Sequence, residues 1–176
     1  MKAEHTIPLP ASVPAVPSVV KGLAVIQAET STQIAQAREL FLEYAQSLGF
    51  SLCFQNFDKE LASLPGDYAP PDGRLLLAEH DNRLAGCAAL HRFDATSGEM
   101  KRLYIRPNFR GLGLGRTLAE RILAEAASIG FQRIRLDTVV GKMNDAIALY
   151  RRLGFREIPP YRENPIAGAL YMELEL

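Results

Sequence analysis

Tryptophan is absent from the 176-residue sequence, cysteine occurs twice and histidine three times. Cys53 and Cys87 supply neither a disulfide framework nor the paired thiolates of a zinc site. His5, His80 and His91 are scattered along the chain and none lies beside a cysteine, so no metal is expected. Net charge is missing as well. The 20 basic residues balance 20 acidic ones, which leaves no bulk field to draw the chain to nucleic acid or to an anionic membrane. No apolar run approaches the roughly 20 residues that cross a bilayer. The apolar stretch 9–20 has the look of a leader, but Pro10, Pro14 and Pro17 interrupt it and its basic flank is thin. A cytoplasmic location is therefore the expectation.

What the chain does contain is ordinary for a globular protein: 48% hydrophobic and 23% charged residues. Its length suits one domain that can bury a sizeable core. Residues 1–22 are rich in Ala, Val and Pro without periodicity and read as an extended arm. Residues 23–176 read as the domain itself. A homodimer in which the arm reaches the other subunit is an arrangement this layout would allow.

Within the domain, residues 23–29 predict a short strand. Thr30 or Ser31 caps a helix in which Ile34, Ala37, Phe41, Tyr44 and Leu48 recur at helical spacing up to Gly49. A second short helix is predicted over 57–64. Two strands, 74–79 and 83–93, meet at Asp81-Asn82 as a hairpin, and 98–106 adds a third strand. Leu114, Leu118, Ile122 and Ala126 then form the inward stripe of a helix that ends at Gly130. A strand over 132–139, a helix over 145–153 and strands over 155–158 and 167–176 complete the chain. The strand–helix–strand unit makes 98–106 and 132–139 parallel neighbours. The expected fold is α/β (α+β), a mixed sheet of about six to seven strands with helices on both faces.

The most informative stretch joins that strand to that helix: Leu103-Tyr104-Ile105-Arg106-Pro107-Asn108-Phe109-Arg110-Gly111-Leu112-Gly113-Leu114-Gly115-Arg116. Alternating glycines let the main chain approach a ligand and turn its N–H groups outward. With the positive end of the helix dipole, they form an anion site suited to a pyrophosphate. A P-loop is excluded because Gly115 is followed by Arg116-Thr117 without the required lysine. A dinucleotide fingerprint is excluded because Leu118 stands where its third glycine belongs. A plain linking turn is the structural alternative.

These residues resemble the GNAT superfamily of acetyl-CoA-dependent N-acetyltransferases. The family motif of Gln or Arg, two residues, Gly, one residue, then Gly or Ala is filled by Arg110, Gly113 and Gly115. A second family feature follows in Asn144-Asp145-Ala146-Ile147-Ala148-Leu149-Tyr150-Arg151-Arg152-Leu153-Gly154-Phe155. The resemblance spans residues 23–176 and implies acetyl-CoA as co-substrate. Pantetheine would enter a gap between the parallel strands and bond main-chain groups near Leu103, Tyr104 and Ile105. The pyrophosphate would rest on the amides of Arg110, Gly111, Leu112, Gly113, Leu114 and Gly115, with Arg116 adding charge. Asn144 would touch the pantetheine arm, or simply cap its helix.

Tyr150 matches the family's general acid, because the departing thiolate needs a proton and a phenol near pKa ~10 holds one at neutral pH. The competing reading makes it a core residue beside Ile147 and Leu153. Glu99 falls where many members carry a glutamate that accepts the amine's proton directly or through water. By strict alternation it shares a face with Leu103 and Ile105, barring a bulge. Its plainer role is an ion pair with a neighbouring Lys or Arg, and His91 is a second candidate base. Substrate walls are expected in the loop 159–165, where Arg162 could clamp a carboxylate, and in 50–57, with Phe54 and Gln55. The expected acceptor is a primary amine of a small molecule or amino acid, attacked in a ternary complex. Acetylation of a protein or peptide is the first alternative. A non-catalytic acetyl-CoA-binding regulatory module and a domain binding some other phosphate ligand are the others.

Overall fold

The computed structural model describes residues 22–176, so the expected arm over 1–22 lies almost entirely outside the described residues. Seven strands form one sheet in the order β1-β2-β3-β4-β5-β7-β6. They are β1 (Leu23–Gln27), β2 (Arg74–His80), β3 (Arg83–Arg92), β4 (Ser97–Ile105), β5 (Arg133–Val139), β6 (Arg156–Ile158) and β7 (Ala169–Glu175). Four helices accompany them: α1 (Ser31–Leu48), α2 (Phe57–Ser63), α3 (Leu114–Ile129) and α4 (Asn144–Leu153). All neighbouring strands are antiparallel except β4 and β5, the pair joined through α3.

Local chemistry explains the boundaries. Thr30 accepts from the Gln33 N–H while the Gln33 side chain accepts from the Thr30 N–H, a capping box that opens α1. Gly130 and Gly154 close α3 and α4 in the left-handed conformation. Asp81 and Asn82 both have positive φ, as the tight β2–β3 hairpin requires.

The sheet separates two cores. Ala88, Leu90, Met100, Ile134 and Leu136 pack beneath Leu118, Ile122 and Ala126 of α3 and Tyr150 of α4. On the other face, Leu75, Leu77, Cys87, Ala89 and Tyr104 pack beneath Leu40 and Phe41 of α1 and Phe57 of α2. The expected alternation along β4 fails at one place. Cys87 pairs with Tyr104 but Ala89 pairs with Lys101, so β4 carries one extra residue, and Arg102 there has φ +57°. The bulge puts Leu103 and Ile105 on the α3 face, opposite Glu99, whose carboxylate meets His91 on the α1–α2 side. The expectation that Glu99 shares a face with Leu103 and Ile105 is thereby corrected.

A buried ion pair fixes the bulge. Arg102 Nε and Nη2 donate to the two oxygens of Glu60 at 2.9 and 2.5 Å, and Tyr68 donates to Glu60 Oε1 at 2.7 Å. Burial alone would raise the Glu60 pKa, but the guanidinium holds it below its ordinary value. The pair ties α2 to the centre of the sheet.

Candidate active site

Between β4 and β5 the ladder lasts only from Ser97–Arg133 to Glu99–Arg135. Beyond it the two strands diverge, and β5 continues alone with β7 as far as Val139. The edge of β4 over residues 100–105 is left facing a slot instead of a strand, an edge that an extended ligand can pair with. Tyr44, Leu103, Leu136, Asp137, Met143 and Tyr150 are among the residues lining this slot.

Past the slot, β4 leads into the glycine turn. After a short 3-10 turn at Pro107–Phe109, Gly111 and Gly113 adopt φ +79° and +80°, and Gly113 stands at the N-cap of α3. Among the described residues, the N–H groups of Gly111, Leu112 and Gly113 have no protein acceptor, and those of Leu114, Gly115 and Arg116 are open first-turn donors. Arg110, Gly111, Leu112 and Gly113 are exposed. A Cβ added to Gly115 would meet only ordinary contacts, 3.7 Å from Ile105 Cγ1 and 3.9 Å from Leu149 Cδ2. The fold therefore leaves these main-chain donors free among the described residues. Arg110 donates to the Ile105 carbonyl and Arg116 pairs with Glu120, which keeps both cations beside them.

Tyr150 reaches the slot from the α4 side and is 5% exposed. Its ring packs against Phe155 at 5.7 Å. Burial pushes its pKa up, so the hydroxyl stays protonated at neutral pH and is a proton donor there. Its ring is core, beside Phe155, and the residue also lines the slot. Asn144 occupies the first position of α4, not the cap, and its Oδ1 accepts from the Gly141 N–H at 2.8 Å.

Glu99 lies at the end of the paired segment, 1% exposed. His91 Nε2 is 2.7 Å from its Oε2, Tyr161 donates to its Oε1 at 2.7 Å, and the Arg162 guanidinium pairs with the same oxygen. Burial, with Lys101 and Arg162 nearby, pulls the His91 pKa down to about 4. The imidazole is thus neutral, and its Nε2–H is the donor to the carboxylate. The two candidate bases form one hydrogen-bonded unit. Arg162, foreseen as an open clamp, is engaged with Glu99 and keeps its buried Nε without a partner among the described residues.

His91, Glu99 and Arg162 line a second cavity together with Lys59, Tyr68 and Lys101. Lys101 and Gln55 border both spaces, so the slot and the cavity adjoin there. Phe54 belongs to the 3-10 turn Cys53–Gln55 in the loop beside the slot. Asp137 accepts from Asn164 Nδ2 at 2.9 Å and, more weakly, from Gln55 Nε2 at 3.4 Å, which joins the loops on either side of the gap. Lys101, Asp137 and Tyr161 escaped sequence reasoning. Only the proline-flanked Tyr161 carried a signal, through its loop, because the bulge sets which β4 side chains face the cavity.

This geometry has close counterparts. A sequence model of the acetyltransferase (GNAT) family matches residues 34–155. The chain is 42% identical over 139 residues to an uncharacterised N-acetyltransferase of Schizosaccharomyces pombe, covering 78% of this chain and 85% of that one. Among solved structures, an acetyltransferase of Streptococcus agalactiae superposes with a TM-score of 0.73 at 24% identity, covering 89% of this chain and 99% of the other. A protein of Salmonella typhimurium, solved with acetyl-CoA as its cofactor, superposes with a TM-score of 0.62 at 19% identity, over 88% and 94%. The diverging parallel strands, the open glycine turn and these likenesses lead to one conclusion: the chain belongs to the GNAT family and is an acetyltransferase.

Proposed function

We propose that the chain transfers an acetyl group from acetyl-CoA to the primary amine of a small molecule or amino acid by direct attack in a ternary complex. The observation that carries this reading is the slot between β4 and β5, which is lined by Leu103 and Tyr150 and adjoins a separate cavity at Lys101, with the glycine turn following β4 in the chain. The Salmonella typhimurium neighbour, of the same fold, holds acetyl-CoA, and the present chain has main-chain donors free to receive the pyrophosphate. Pantetheine then lies along the edge of β4, with its thioester near Tyr150.

In this reading the amine enters from the cavity and its nitrogen attacks the thioester carbonyl carbon. The tetrahedral centre collapses by breaking the C–S bond, and Tyr150 stabilises or protonates the departing thiolate. The proton lost by the amine passes to the Glu99 unit. Its oxygens are held by His91, Tyr161 and Arg162, so the proton reaches it through His91, Tyr161 or water, while the always-protonated Arg162 only stabilises the charge. The slot and cavity are distinct spaces that meet at one place, which favours a ternary complex over a covalent enzyme intermediate.

The test is release of coenzyme A from acetyl-CoA across amino acids, polyamines, aminoglycosides and peptides, with the acetylated product identified by mass spectrometry. Stoichiometric transfer to a small amine is expected. Transfer to peptides alone would move the proposal to a protein acceptor, and tight acetyl-CoA binding without transfer would make the chain a sensor.

A further inference from the structure

Lys101 is a half-buried cation of the cavity wall with no polar partner among the described residues. It follows Glu99 by two residues on β4 and borders both the slot and the acceptor cavity. Among the described residues no carboxylate lies within ion-pairing distance of it. The acids around it are engaged elsewhere: Glu60 with Arg102 and Tyr68, Glu99 with His91, Tyr161 and Arg162, and Asp137 with Asn164 and Gln55. A second donor on the same wall is also unspent, since Arg162 Nε is buried without an acceptor among the described residues. Lys59 and Asp67 lie on the same lining and offset each other in charge. Sinking an ammonium group into a wall without a counterion costs free energy, and a methionine of similar length would fill that space without the cost. Burial beside Arg102 accordingly draws the lysine pKa down to about 8.

We infer that this cavity takes an acceptor bearing a carboxylate next to its amine, with Lys101 as the anchor of that carboxylate and Arg162 Nε as a second donor. Position sets the distance between the two groups. Lys101 stands where the slot meets the cavity, so an anion bound to it lies close to the nitrogen that attacks the thioester. The class is therefore α- or β-amino acids, not chains whose charge is many bonds from the amine. The remainder of such an acceptor extends over Tyr68 and Phe93, which line the same cavity.

The inference rests on the acetyl-transfer reading, and one set of assays separates the two. Wild type, Lys101→Met and Lys101→Arg are compared on the amino acids and on matched amines lacking the carboxylate, such as phenylalanine against phenethylamine. Wild type is expected to favour the amino acid of its best pair by at least tenfold in kcat/KM. Lys101→Met should raise KM for that amino acid about tenfold or more, the scale of a lost charge-assisted hydrogen bond. The change for the matched amine should be far smaller, and Lys101→Arg should recover part of the preference. Thermal melting checks the fold, and Lys101→Met is expected to melt no lower than wild type. Equal rates on both members of every pair, or equal losses for both in Lys101→Met, would overturn the inference while leaving acetyl transfer standing. No transfer to any amine would remove both.

Discussion

At the scale of single residues, the chemistry turns on which polar atoms are occupied and which are open. Tyr150 lines the slot and has no protein hydrogen-bond partner among the described residues, whereas Glu99 is saturated by three neighbours. Tyr150→Phe keeps the ring against Phe155 and removes only the hydroxyl. It should lower kcat about a hundredfold, the usual scale for a lost general acid, with the melting temperature changed by little. His91 offers a test by pH. Its pKa is drawn down to about 4 in the folded chain against about 6.5 when unfolded. Between these values the unfolded chain binds a proton that the native one does not, so stability is lost as pH falls from 6.5 toward 4. In an NMR titration the His91 ring should remain neutral at pH 6; a midpoint near 6.5 would contradict this assignment. Residue-level legibility in the sequence was uneven. The glycines and Tyr150 sit in local patterns tied to backbone geometry. Lys101, Asp137 and the unit around Glu99 are assembled from distant segments, and no local spacing announces them.

At the scale of elements, β4 decides the site. Its bulge at Arg102 reverses which side chains face α1 and α2, and the Glu60–Arg102 pair fixes that reversal. Glu60→Ala would strand a guanidinium that is only 2% exposed, and loss of one partner from such a pair costs about 3 kcal/mol or more. Chemical denaturation should show that loss. Substrate KM should rise as well, because Glu60 lines the cavity proposed for the acceptor. The glycine turn fails differently. Gly113→Ala places a side chain at φ +80°, at a strain of about 1–2 kcal/mol, in the cradle proposed for the pyrophosphate. KM for acetyl-CoA should rise tenfold or more, while KM for the amine moves little. Capping, the Asp81-Asn82 hairpin and the stripe of α3 were legible because each follows from short-range chemistry. The bulge was not, since a lysine and an arginine side by side on an apolar strand give no sign of an extra residue, and the buried carboxylate that fixes it lies 42 positions earlier.

At the scale of the whole molecule, one sheet with two cores is split along part of a single seam. The order of strands and the parallel β4–β5 pair followed from the strand–helix–strand unit. The point where the strands part did not, because no local pattern in either strand marks the end of the ladder at Glu99–Arg135. A cofactor that fills the seam would bind the native chain alone, so acetyl-CoA at 100 times its dissociation constant should add about 2.7 kcal/mol of stability. The most direct measurement maps amide chemical shifts as acetyl-CoA is added to the isotopically labelled protein. The account predicts large shifts at Gly111, Leu112, Gly113, Leu114, Gly115 and Arg116 and along Leu103 to Ile105, with β1 and β6 undisturbed. Saturable binding that leaves those amides unmoved would contradict it.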